Sequence, residues 1–322
     1  MPDGLLKRAS NALRRALAPR DGCIILMYHR VGAPGCDPEH LAVTAGKLAE
    51  QIAVLKRNRT VVPLSWLKER MAQGLSVAGT AAVTFDDGYA DVLHQGRPAL
   101  ARLDCPATVF LATGAIGTGA NMWWDLVGRL FLVSPALPPE VTVARQGRRQ
   151  SIALDAADRG SRMRAYGQVS EMVRPLPSRE RDAVVDDLVR QIWGAREDRD
   201  EDRLMRPEEV QAWYSKGMFE IGAHTVSHPS LPTLPAAEQR AEIAESSRAC
   251  TTLTGEPPTG FAYPYGHYDA AVMEAAAAAG IAIAVTAEKR RIGPAEPMLA
   301  LPRYYVGDWD AAAFARHMSF QA

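Results

Sequence analysis

The chain has 322 residues, 47% hydrophobic and 23% charged, enough for one large core or two modest ones. Lys+Arg and Asp+Glu both number 37, so no global field draws the chain to nucleic acid or to an acidic polymer. The four cysteines, Cys23, Cys36, Cys105 and Cys250, show no Cys-x-x-Cys pair and no regular spacing, which argues against a disulfide framework and fits a reduced compartment.

Residues 1–20 are positively charged but lack a continuous apolar run, because Arg14 and Arg15 interrupt it. That is not a secretory signal, and the expected setting is cytoplasmic. Leu5, Leu6, Ala9, Leu13, Ala16 and Leu17 fall near one helical face, so residues 1–20 read as an amphipathic helix. Residues 5–17 would serve as a peripheral contact with the inner membrane, or pack on their own domain. No stretch has the ~20 apolar residues of a spanning helix.

Residues 21–322 then alternate strand and helix signals. Cys23–His29 is a strand candidate; Thr44 can cap a helix to about Asn58; Val61-Val62 is a short strand; Ser65 can cap a helix to about Gln73. Ala81–Phe85 is a strand, about 89–103 a helix, and Pro106–Ala112 a strand. Pro207 opens a helix to about Lys216, where its fixed φ suits the first turn. Phe219–Gly222, Thr259–Ala262, Ile281–Thr286 and Leu301–Val306 read as strands, with helices over 235–253, about 269–279 and from near Asp310. This alternation predicts an α/β fold with helices outside a mostly parallel sheet. The interval of about 118–205 breaks the rhythm. It opens on Met122-Trp123-Trp124-Asp125, contains two strands around Gln146-Gly147, and continues as charged helix, so it reads as an insertion on one face.

Two distant segments read together as one metal site. Asp86 and Asp87, in Thr84-Phe85-Asp86-Asp87-Gly88, stand side by side after an apolar strand. Such a pair alone is usually a turn, but a bound cation is a reason to keep two adjacent carboxylates. His224 and His228, in His224-Thr225-Val226-Ser227-His228, have ligand spacing. Asp87, His224 and His228 as ligands leave an open position for water on Zn²⁺, or on another divalent cation such as Co²⁺. Asp86 is then placed to act as base. Pro264-Tyr265-Gly266 can turn a backbone N–H toward a developing oxyanion, and His29, at the end of the first strand, is the candidate acid for an amine leaving group.

In that order, Thr84–Gly88, His224–His228 and Phe261-Ala262-Tyr263-Pro264-Tyr265-Gly266 resemble the successive motifs of NodB-type polysaccharide deacetylases, carbohydrate esterase family 4. The resemblance implies a distorted (β/α) barrel, here with an inserted helical and hairpin segment, and metal-dependent removal of an N-acetyl group from an amino sugar. It implies Asp86 as base, Asp87, His224 and His228 as ligands, and the Tyr265 N–H at the oxyanion. The family's third-motif arginine is replaced by Ala262, and no Leu-x-His strand lies near the C-terminus. Ile24–His29 is similar to that strand moved to the front, as in a permuted subgroup whose acid histidine sits on the first strand; Arg303 would replace the missing arginine. Trp123, Trp124 and Tyr263 are the expected substrate contacts. The implied partner is an N-acetylated oligosaccharide of surface-polysaccharide or glycoconjugate synthesis, lipid-linked or nucleotide-linked, and not nucleic acid. Alternatives are a non-catalytic saccharide-binding relative, or a deformylase or amidase acting on another amide.

Overall fold

The computed structural model describes residues 22–145, 147–293 and 295–320. The amphipathic helix expected over residues 1–20, and with it the membrane contact through residues 5–17, lies outside the described residues, as does Gln146 of the hairpin turn. No helix among the described residues is long and apolar enough to cross a membrane.

The strands are β1 (Ile24–Tyr28), β2 (Arg30–Val31), β3 (Ala42–Val43), β4 (Thr60–Val61), β5 (Thr80–Phe85), β6 (Ala107–Leu111), β7 (Glu140–Arg145), β8 (Arg148–Ala153), β9 (Phe219–Ala223), β10 (Phe261–Ala262), β11 (Ala284–Val285) and β12 (Tyr304–Tyr305). The α-helices are α1 (Ala45–Asn58), α2 (Leu64–Ala72), α3 (Arg97–Arg102), α4 (Trp123–Leu132), α5 (Arg159–Val173), α6 (Ser178–Ile192), α7 (Pro207–Trp213), α8 (Ala236–Thr254), α9 (Ala270–Ala278) and α10 (Ala311–Met318).

β1, β5, β6 and β9 are buried at every position. Parallel strands covered on both faces read as unbroken apolar runs, which is the pattern the sequence carries. They pair in parallel in the order β11-β10-β9-β6-β5-β1-β12, with β4 also on β5. The two ends of that order meet: Leu301 bridges to Val285 of β11, while Tyr304 and Tyr305 pair with Leu26 and Met27 of β1. The closing strand is therefore split, with Arg303 at the seam. The result is the expected distorted (β/α) barrel.

Thr44 caps α1 by accepting from the Lys47 amide, and the helix turns Leu48, Ile52 and Leu55 inward. Asp269 and Asp310 cap α9 and α10 in the same way. Ser65 does not cap α2: the helix begins at Leu64 after Pro63, and the Ser65 amide donates to Glu220 instead. The helix expected over 89–103 opens as a π-turn, Val92–Gly96, before α3. Pro98 has no amide to donate four residues back, so the hydrogen-bond register slips there. The strands expected at 281–286 and 301–306 shrink to two residues each, Ala284–Val285 and Tyr304–Tyr305.

In the inserted region, β7 and β8 form the expected antiparallel hairpin. α4 is buried on almost every side, which hides its helical period in the sequence. It packs against α5 and α6.

Candidate active site

β1, β5 and β9 end at Tyr28, Phe85 and Ala223, and so deliver His29, Asp86–Asp87 and His224 to the same end of the barrel. Parallel barrels carry their chemistry at that end. These residues line one cavity of about 250 Å³ with His228, Trp123, Trp124, Tyr265 and Arg303.

Asp87, His224 and His228 are buried to within a few per cent and converge. The two Nε2 atoms are 3.1 Å apart, and Asp87 Oδ1 lies 3.6 Å from His224 Nε2 and 3.4 Å from His228 Nε2. A tetrahedral Zn²⁺ with ligand bonds of about 2.0–2.1 Å separates its donors by roughly 3.3 Å, so these distances fit one ion. His224 Nδ1 lies 2.7 Å from the Ala262 carbonyl, which accepts its proton and leaves Nε2 bare for a metal. Asp87 Oδ1 has no hydrogen-bond partner among the described residues. Burial, then the neighbouring charge of Asp86, pushes the Asp87 carboxyl well above the usual carboxylate range. Burial, then His224, pushes His228 well below the imidazole range. A divalent cation reverses the penalty on the carboxylate and needs the imidazoles neutral.

Asp86 is gripped by a guanidinium fork. Arg303 Nη1 donates to Oδ1 at 2.7 Å and Nη2 to Oδ2 at 2.6 Å, with both side chains almost fully buried. Arg303 is itself fixed by donating Nε to the Thr286 carbonyl and Nη1 to Thr84 Oγ1. Burial would raise the Asp86 pKa, but the charges of Arg303 and then His224 outweigh it and hold it at about 2. Burial lowers His29 to about 4, against the opposing pull of Asp86. The guanidinium that Ala262 cannot supply thus arrives from the seam of the barrel.

The loops that carry these groups are strained. Asp87, Thr225, His228 and Tyr265 all have φ between 55° and 70°. Non-glycine residues hold such a conformation at a cost of about 1–3 kcal/mol each, and only where surroundings enforce it. Gly266, at φ 66°, permits the Tyr265 turn: a Cβ there would stand 2.6 Å from that of Ala287. Glu242 of α8 braces the histidine loop, accepting from the Val226 and Ser227 amides at 2.8 and 2.9 Å and from the Ser227 hydroxyl. Ser178 of α6 bonds Ser227 from the other side, and Arg181 donates to the His228 carbonyl at 3.2 Å.

Trp123 and Trp124 are buried yet line the cavity. Trp123 Nε1 donates to the Tyr265 hydroxyl, Trp124 Nε1 to the Tyr89 hydroxyl, and the Trp124 ring meets His228 edge-on. Tyr263 is a correction. It is fully buried, stacks on Tyr268 and donates its hydroxyl to the Leu299 carbonyl, so it is not brought to the cavity. As the last residue before the turn its side chain points into the barrel wall, while Tyr265 takes the cavity side.

The polysaccharide deacetylase family profile matches residues 76–134 and 185–284. The chain carries a polysaccharide deacetylase domain. The break in the match spans β7, β8, α5 and the start of α6. The domain's fold is similar to that of solved structures. IcaB from Ammonifex degensii aligns at TM-score 0.58 and 16% identity over 93% of this chain and 96% of that one. A de-N-acetylase from Aggregatibacter actinomycetemcomitans aligns at 0.57 and 15% over 92% and 100%. The Streptococcus pyogenes deacetylase PplD, in complex with acetate, aligns at 0.55 and 17% over 92% and 98%. No curated protein matches the chain at a significant level.

Glu39, Arg174 and Glu242 are absent from the sequence-based expectations. Glu39 and Arg174 both line the cavity, and Arg174 stands over the Tyr265 ring. In the sequence each is a lone charge without a spacing pattern, and only the folded insertion brings Arg174 to the cavity.

Proposed function

We propose that the protein is a divalent-cation-dependent N-deacetylase that removes acetyl from an N-acetylated amino sugar in a saccharide or glycoconjugate of surface-polysaccharide synthesis. The observation that carries this reading is the Arg303-forked carboxylate of Asp86 beside the buried Asp87–His224–His228 cluster, all in one cavity. A binding module has no use for an ionised base next to a cation site. The domain's family, which hydrolyses amide C–N bonds, supports the same class of reaction.

Asp87, His224 and His228 would hold the cation, Zn²⁺ or another such as Co²⁺. A cation there supplies Lewis acidity to the acyl oxygen and makes water a better nucleophile near neutral pH. Asp86, kept ionised by Arg303, takes the proton of the attacking water on a carboxylate oxygen. The Tyr265 N–H, presented by the strained turn, donates to the oxyanion as it develops. His29, on the first strand as in the permuted subgroup, gives a proton to the departing sugar amine. Its low pKa leaves it neutral at rest, so the proton it gives to the amine is one it first takes from solvent, and the proton that Asp86 took from water returns to solvent once the products leave. Trp123 and Trp124 wall the cavity against bulk water.

The test is acetate release. Purified protein with a divalent cation should liberate acetate from an N-acetylated chitooligosaccharide, and a chelator should stop it. Cation binding and saccharide binding without any acetate would favour the non-catalytic alternative; release of formate from an N-formyl analogue alone would favour the deformylase.

A further inference from the structure

The cavity holding the reacting groups, at about 250 Å³, falls below the roughly 300–1,000 Å³ of sites that enclose drug-sized ligands. A volume of that size leaves room for about one sugar ring. Whatever is bonded to the reacting sugar therefore lies at the cavity's mouth. Two side chains there take no part in the chemistry above. Arg174 directly follows α5, in the segment between the two matched stretches of the family profile. Glu39 comes from the loop between β2 and β3. Both line the cavity, and their side chains remain 37% and 31% exposed.

The Arg174 guanidinium stands over the Tyr265 ring, 5.4 Å from its centre. Its Nη2 donates to Glu39 Oε1 at 3.2 Å, and its buried Nε has no hydrogen-bond partner among the described residues. The Tyr166 hydroxyl donates to the same Oε1 at 2.6 Å. One oxygen of Glu39 thus ties the pair to the insertion, and both side chains keep part of their surface open where they line the cavity.

We infer that Arg174 and Glu39 form a subsite for a neutral sugar ring bonded to the reacting N-acetylated residue. A hydroxyl both accepts and donates, so it accepts from Arg174 and donates to Glu39. The planar guanidinium presents paired N–H groups to neighbouring hydroxyls. A phosphate or carboxylate would satisfy Arg174 but would stand beside the Glu39 carboxylate, and like charges at that range repel. The pair therefore selects an oligosaccharide over a single sugar or a nucleotide-linked one. This rests on the deacetylase reading and narrows its substrate class.

The test uses the full chain and three substrates: N-acetylglucosamine, its β-1,4-linked tetramer, and uridine-diphosphate N-acetylglucosamine. Arg174→Met and Glu39→Gln should each raise KM for the tetramer roughly three- to tenfold, the worth of one or two net hydrogen bonds. Kcat for the tetramer, KM for the single sugar and cation content should stay put. Equal effects on single sugar and tetramer would overturn the subsite, since the pair would then act through Tyr265. So would a greater loss with the nucleotide sugar, since Arg174 would then read an anion. Calorimetric titration of the tetramer into Asp86→Asn, with and without Arg174→Met, needs no turnover. Weaker binding with Arg174→Met supports the subsite, and an unchanged Kd overturns it. If no saccharide yields acetate with the unsubstituted chain, the deacetylase reading fails, while this binding comparison still decides the subsite.

Discussion

Replacing Arg303 by Met keeps the bulk of the side chain and removes the fork on Asp86. The net pull on Asp86 takes its pKa from an ordinary 3.8 to about 2, after burial has pushed the other way. At about 1.4 kcal/mol per pKa unit, the ionised form is favoured by about 2–3 kcal/mol. Without Arg303 burial wins and the pKa rises above its ordinary value. Asp86 acts as base only when ionised. In the unsubstituted protein it is ionised at every pH above about 2, so the acid limb of kcat/KM is set elsewhere. In Arg303→Met the burial that Arg303 had offset keeps Asp86 protonated into the working pH range, so Asp86 itself now sets the acid limb, and turnover at pH 7 falls toward the roughly 10²–10⁴-fold worth of a general base. The depressed pKa also makes Asp86 a source of stability above about pH 4 that is lost as pH falls toward 2. Breaking the buried pair costs about 3–5 kcal/mol of folding stability, so circular dichroism must first show a folded variant. Cation content should hold, because Arg303 donates to Thr286, Thr84 and Asp86 and to none of the three ligands. The assay is acetate release from pH 4 to 9, with metal analysis of the same samples. An unshifted acid limb with full turnover would refute the role given to the fork.

Asp86→Asn should bring turnover below detection while the cation still binds; measurable acetate release at an ordinary rate would mean another group is the base. His29→Gln should lower kcat roughly 10²-fold with cation content intact, as read by steady-state kinetics and metal analysis together. Glu242→Ala removes the carboxylate that holds the Val226 and Ser227 amides. Cation affinity should fall roughly 10–100-fold, as for other groups that orient metal ligands; an unchanged dissociation constant would show that the loop keeps its strained shape unaided.

The carboxylate pair and the histidine pair were legible because each follows a strand buried on both faces, so the apolar run announces where the chain emerges. The cap at Thr44 was legible because its mechanism is local. Arg303 was not legible from pattern, since two residues of strand on either side of a barrel seam carry no periodicity; the family resemblance supplied it. α4 was missed because a helix buried all round has no polar face. Tyr263 and Tyr265 are two residues apart, and which one meets the cavity depends on the positive φ of Tyr265, a fact of backbone geometry. Glu39, Arg174 and Glu242 gain meaning only from contacts more than ten residues distant.

The most direct measurement is a calorimetric titration of Zn²⁺ into chelator-stripped protein, run beside acetate release, on the unsubstituted chain and on His228→Ala. One ion per chain should bind, acetate release should return with the first equivalent, and His228→Ala should show neither. Turnover that survives chelation, or a titration that His228→Ala leaves unchanged, would contradict a cation held by Asp87, His224 and His228.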